Sequence, residues 1–115
     1  MTIKLTDIEV EAIIKAAVAE ASRHSKAYLE QHLLGVDNYP CGFAWVNIKP
    51  ARGQFVKVMK KMKLGRTDDY YGGYTVWNPS EWNGQNMDVK EAGARAFAAE
   101  LRKHGLKCSV ATRLD

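Results

Sequence analysis

Cys41-Gly42-Phe43-Ala44-Trp45-Val46-Asn47-Ile48 is the stretch on which the fold turns. Almost every side chain in it is apolar, aromatic or β-branched, and Asn38-Tyr39-Pro40 ahead of it is a turn signal. It reads as a central strand covered on both faces. Downstream, Pro50 suits the first turn of a helix, where its missing N–H costs nothing. Phe55, Val58, Met59 and Met62 give that helix an apolar stripe, and Gly65 closes it. Asp68-Asp69-Tyr70-Tyr71-Gly72-Gly73-Tyr74-Thr75-Val76-Trp77 reads as a second strand, in which the glycine pair suggests a bulge or a close approach by another group. Asn78-Pro79-Ser80 ends it, and a polar loop runs through Trp82 to Asn86. Asp88 with Glu91 then offers a capping pattern for a helix built on Val89, Ala92, Ala96, Phe97 and Leu101. The alanines of that helix permit close packing on a sheet. His104-Gly105-Leu106 has the composition of a helix stop. Leu106 to Leu114 is the last strand.

Upstream, Thr6-Asp7-Ile8-Glu9 is a capping box, in which hydroxyl and carboxylate satisfy orphan backbone donors reciprocally. Val10, Ile13, Ile14, Ala17, Val18, Ala21, Tyr28, Leu29 and Leu33 follow at helical spacing, with Gly35 as a left-handed stop. The spacing predicts one helix over 7–34, about 40 Å long at the usual rise. Either it breaks near Ser22–Ser25, or it overhangs the body and contacts another subunit. The expected fold class is α/β, with α+β as the alternative. The long N-terminal helix precedes a β-α-β-α-β body with a three-stranded parallel or mixed sheet. The whole of 1–115 is one domain, with its helix over 7–34 and its body over 40–115.

The composition agrees with a folded domain. The chain has 115 residues, 46% of them hydrophobic and 26% charged, which excludes a disordered tail, a collagen-like fibre and a disulfide mini-protein. Cys41 and Cys108 stand far apart and read as two buried free thiols of a reducing compartment. The first 21 residues are interrupted by Asp7, Glu9, Glu11, Lys15 and Glu20, so neither a signal peptide nor a spanning helix is expected. The expected location is the cytoplasm, with no membrane partner.

Charge is unevenly placed. Residues 36–67 carry Lys49, Arg52, Lys57, Lys60, Lys61, Lys63 and Arg66 against Asp37 alone, while the segments on either side each sum to −1. The basicity belongs to the centre of the chain. On the expected second helix, Lys57, Lys60, Lys61 and Lys63 read as a solvated face, and alternatively as a nucleic-acid surface. Tyr70, Tyr71, Tyr74, Trp77 and Trp82 are able to stack on bases. Core and rim packing is the better account for Tyr74 and Trp77, less so for Tyr70, Tyr71 and Trp82.

No Walker loop, G-x-S-x-G or H-E-x-x-H is present, and no catalytic residue, metal site or cofactor is assigned. His24 and His32 share no acidic or Cys partner at ligand spacing, and His104 suits a helix end. Cys41 opens an apolar strand and reads as a buried, inert structural thiol. Asp68 and Asp69 would point to opposite faces of a strand, so a solvated turn explains them better than paired acid–base work. If the strands are parallel, their carboxyl ends gather Lys49, Arg52, Gly53, Asn78, Ser80, Trp82 and Arg113 at one edge. Gly53 would there let an anion approach a helix N-terminus.

The words Pro40-Cys41-Gly42-Phe43-Ala44-Trp45-Val46, Asp69-Tyr70-Tyr71-Gly72-Gly73-Tyr74, Val76-Trp77-Asn78-Pro79, Lys90-Glu91-Ala92-Gly93-Ala94-Arg95-Ala96-Phe97-Ala98 and Thr112-Arg113-Leu114-Asp115 carry a resemblance. Residues 40–115 resemble a group of small uncharacterised proteins encoded by tailed bacteriophages and prophages. The resemblance implies a phage-related accessory protein in the host cytoplasm and transfers no activity. The function expected is binding, of an anionic or phosphorylated small ligand or a host protein, rather than catalysis. The alternatives are a small enzyme acting on a phosphorylated metabolite, with Arg52 and Arg113 as its clamp, and a nucleic-acid module using the lysine-rich helix. If the first helix overhangs, Ile13, Ala17, Ala21 and Tyr28 would face water, and a homodimer through that stripe is expected.

Overall fold

A computed structural model describes residues 4–115. In chain order the elements are α1 (Asp7–Leu33), β1 (Gly42–Ile48), α2 (Gln54–Lys61), β2 (Arg66–Thr67), β3 (Tyr74–Trp77), α3 (Met87–Arg102) and β4 (Cys108–Leu114). The strands form one sheet in the order β2-β3-β1-β4, and each neighbouring pair is antiparallel. β1 and β2 therefore run the same way with β3 between them, a split β-α-β arrangement. The fold is α+β.

The expected three-stranded parallel or mixed sheet is thereby corrected, and the glycine pair is the reason. Gly72 and Gly73 have φ of 79° and 82°, a left-handed backbone that suits a reversal and not a strand. Asp68 N–H donates to Gly73 O at 2.9 Å and Gly72 N–H to Asp68 O at 3.0 Å. What read as one strand over 68–77 is the turn of the β2–β3 hairpin followed by β3. The close approach expected of the pair is real at Gly73. A Cβ there would lie 2.7 Å from Asn47 Oδ1 and 2.8 Å from Ile48 O. Asp68 and Asp69 sit in a turn, as read. Pro50 lies in the bend before α2, whose N-cap is Gly53, and not in its first turn.

α1 begins with the expected capping box. Thr6 Oγ1 accepts from Glu9 N at 3.1 Å and Thr6 N–H donates to Glu9 Oε1 at 2.9 Å. The helix runs unbroken through Ser22–Ser25 and ends at Leu34 in the left-handed conformation. At about 40 Å it spans a molecule whose longest dimension is 45 Å. It packs along α3 and against α2, while α3 lies on β1 and β4. Ser25, fully buried, donates from Oγ to Val89 O at 2.6 Å. Gly93 permits this approach, since a Cβ on it would meet Ser25 Oγ and Ser80 Cβ at 2.5 Å. Ala17 and Ala21 are wholly buried in the chain's own core. Of the stripe on which the homodimer expectation stood, Ala17 and Ala21 are turned inward, while Ile13 and Tyr28 are half-buried.

The core lies on one side of the sheet. Ala44, Val46, Ile48, Tyr74 and Val76 meet Ile14, Ala17, Phe55, Met59, Phe97 and Leu101 there. Along β1, Gly42, Ala44, Val46 and Ile48 are buried while Phe43, Trp45 and Asn47 between them are half-exposed. β1 is central, as expected, but it is covered on one face only. Among the described residues no helix is long and apolar enough to cross a membrane. Cys41 and Cys108 are both free but only half-buried, not buried as expected, and register places them at opposite ends of β1.

Candidate ligand-binding face

Antiparallel pairing separates the residues expected to converge. Lys49, Arg52 and Gly53 follow the end of β1, whereas Arg113 pairs with Phe43 at its start, about 20 Å away at the usual strand rise. Asn78 lies at the Arg113 end, with its N–H on Ala44 O at 3.0 Å and its side chain on Trp82 O at 3.0 Å. Ser80 is buried. Trp82 Nε1 donates to Asp37 Oδ2 at 2.6 Å. The single anion crevice at one sheet edge does not form.

Asp37 fastens the α1–β1 loop to the β3–α3 loop, since its Oδ1 also accepts from Gln85 N and Asn86 N at 2.9 and 3.1 Å. Burial pushes its carboxyl up, but the indole and the two backbone donors outweigh that and hold it below the usual range. The lysine-rich helix is likewise partly neutralised. Lys57 and Lys61 lie 3.4 and 3.7 Å from Asp7 Oδ2, and Lys63 borders a hollow with Lys15 and Val18 of α1. With Lys60, these lysines belong to the helical side of the molecule.

The uncovered face of the sheet carries the more pronounced chemistry. Trp45 of β1 and Trp77 of β3 are cross-strand partners whose rings stack with centroids 5.3 Å apart and planes 10° from parallel. Phe43 continues the row at 5.5 Å from Trp77. The Arg113 guanidinium and the Lys90 ammonium lie 5.4 and 5.2 Å from the Phe43 ring centre, within cation–π range. Trp77 is 49% exposed, so the packing role expected of it is only partial. Beside it opens a hollow of about 530 Å³ lined by Trp45, Trp77, Arg66, Arg113, Thr75, Thr112, Asp68, Tyr70 and Tyr71. That is the size range of small-ligand sites.

Tyr70 and Tyr71 overhang this hollow from the β2–β3 turn, at 85% and 70% exposure, packed edge to face with centroids 4.6 Å apart. Asp68 roots them. Its Oδ1 accepts from Tyr70 N and Tyr71 N at 2.9 Å, and its Oδ2 accepts from Thr75 Oγ1 at 3.3 Å. The backbone donors of Tyr71 and Tyr70, then Thr75 and the nearby Arg66, hold the Asp68 carboxyl below its ordinary range against the effect of burial. Asn47 completes the anchor, donating to Gly72 O at 2.9 Å and Thr75 Oγ1 at 3.4 Å. Phe43, Trp45, Asn47, Arg66, Asp68 and Thr75 belong to this face and not to the strand-end edge expected from the sequence. Lys49 and Arg113 are the two expected site residues that do reach the uncovered face.

Among the described residues no group of three or more His, Cys, Asp or Glu is placed to hold a metal ion. Comparison with known proteins returns no match among family models, curated proteins or solved structures.

Proposed function

We propose that the chain is a phage-type accessory protein that acts by binding, and that its binding surface is the uncovered sheet face. The observation that carries this reading is the Trp45–Trp77 stack flanked by Arg66 and Arg113. Parallel indoles offer flat apolar surface to a planar ring, and guanidiniums accept a phosphate or carboxylate through paired N–H donors. The ligand class that satisfies both is a flat ring bearing negative charge, as in a nucleotide. The one carboxylate in the hollow, Asp68, has both oxygens engaged in anchoring the Tyr70–Tyr71 turn, which suits a positioning role and not proton transfer.

Adenosine monophosphate is a suitable probe, followed through tryptophan fluorescence. It quenches the protein saturably at millimolar concentration or below, whereas adenosine (no phosphate) and ribose 5-phosphate (no ring) bind several-fold more weakly. Trp45→Ala abolishes the quenching. Equal binding of ribose 5-phosphate, or quenching that survives Trp45→Ala, contradicts the reading.

A further inference from the structure

The hollow beside the tryptophans does not stand alone. A second one, of about 250 Å³, adjoins it and shares Trp45, Asp68 and Tyr71 with it. A third, of about 260 Å³, shares Asn47, Lys49 and Ser109 with the second and adds Lys107. Together they form a track along β1 and β4, from Arg113 at one end to Lys49 and Lys107 at the other. Its length is about 20 Å by strand rise. Arg66, Arg113, Lys49 and Lys107 oppose the Asp68 carboxylate alone among the lining residues. The first hollow is of a size for a mononucleotide, and the Lys49–Lys107 end of the track lies beyond it.

We infer that the track takes a single-stranded nucleic acid laid lengthwise, its bases stacking at Trp45 and Trp77 and its phosphates meeting cations at both ends. This rests on the binding reading above and extends it from one nucleotide to a polymer. A basic groove that follows the backbone, with aromatic rings for successive bases, is the usual means of holding a single strand. A duplex keeps its bases stacked inside and has none to offer the indoles. RNA and DNA share this chemistry, so both enter the test.

Fluorescence anisotropy with labelled 12-mers of deoxythymidylate and of uridylate, at several salt concentrations, decides it. At least one 12-mer binds about tenfold or more tighter than adenosine monophosphate, with affinity falling as salt rises, and the tighter one names the polymer. Trp77→Ala weakens it by about tenfold. Lys49→Ala with Lys107→Ala flattens the slope of log affinity against log salt by about 0.7 per phosphate contact removed. Lys60→Ala, on the helical side, leaves it unchanged. If adenosine monophosphate binds but neither 12-mer binds tighter, the polymer inference fails and the binding reading stands. If neither binds, both fail. A duplex that competes as well as the single strand, or a loss on Lys60→Ala, also overturns the inference.

Discussion

Trp45 and Trp77 face each other across the β1–β3 pair with ring planes 10° from parallel, on the side of the sheet that no helix covers. Cross-strand aromatic pairs contribute about 0.5–1.5 kcal/mol beyond the area they bury. A double-mutant cycle on Trp45→Ala and Trp77→Ala, followed by urea denaturation, is therefore expected to give a coupling of about 1 kcal/mol. No coupling would mean the rings stack without stabilising the sheet.

Acid should release the tyrosine turn. The folded Asp68 carboxyl is held below its ordinary value by the Tyr71 and Tyr70 N–H groups. Its contribution is therefore complete above the unfolded value of about 3.9 and is lost as pH falls through the lower folded value. Amide exchange at Tyr70 and Tyr71, corrected for intrinsic rates, should stay protected at neutral pH and rise as the carboxylate protonates. Asp68→Ala, which removes the acceptor, should show the fast exchange at every pH. Protection that persists in that variant contradicts the anchoring role.

Asp37→Ala leaves the Trp82 indole and the Gln85 and Asn86 N–H groups without their shared acceptor. The expected cost is about 2 kcal/mol in urea denaturation. Trp82 emission should shift as its hydrogen bond is lost. An unchanged midpoint would show that water replaces the carboxylate freely.

Gly93→Ala inverts a general rule. Alanine in a helix interior is normally favoured over glycine by about 1 kcal/mol, but here the new methyl meets Ser25 Oγ and Ser80 Cβ. A net destabilisation of about 2 kcal/mol is expected from overpacking. Ala17→Glu with Ala21→Glu goes further and abolishes cooperative unfolding, because both positions are buried in the chain's own core and a buried unpaired charge is costly. A folded double variant would return Ala17 and Ala21 to a subunit interface.

The helices were legible in the sequence because their signals are local. Thr6 and Glu9 cap α1 reciprocally, and the alanines of α3 fit a helix pressed between the sheet and α1. The sheet was less so. Gly72-Gly73 inside an aromatic run fits a bulge as well as a reversal, and only the partner strand decides between them. That one ambiguity changes the number of strands, their direction and the end of β1 at which Arg113 falls. The uncovered face had left a trace in β1, where small or aliphatic Gly42, Ala44, Val46 and Ile48 alternate with Phe43, Trp45 and Asn47. Because both sets are largely apolar, a hydrophobicity reading merges them into a strand covered on both faces. Arg66 and Lys107 carried no local signal, since pairing and loop placement alone bring them to that face.

The most direct test of the binding face is a ¹⁵N-resolved NMR titration with the single-stranded 12-mer that binds. Indole Nε1–H signals of Trp45 and Trp77 and amides of 43–49 and 109–113 are expected to move together and saturate. The Trp82 indole, bonded to Asp37 away from the track, and the amides of α2 should stay in place. Shifts centred on α2, or on Trp82 with Trp45 and Trp77 unmoved, would contradict the account.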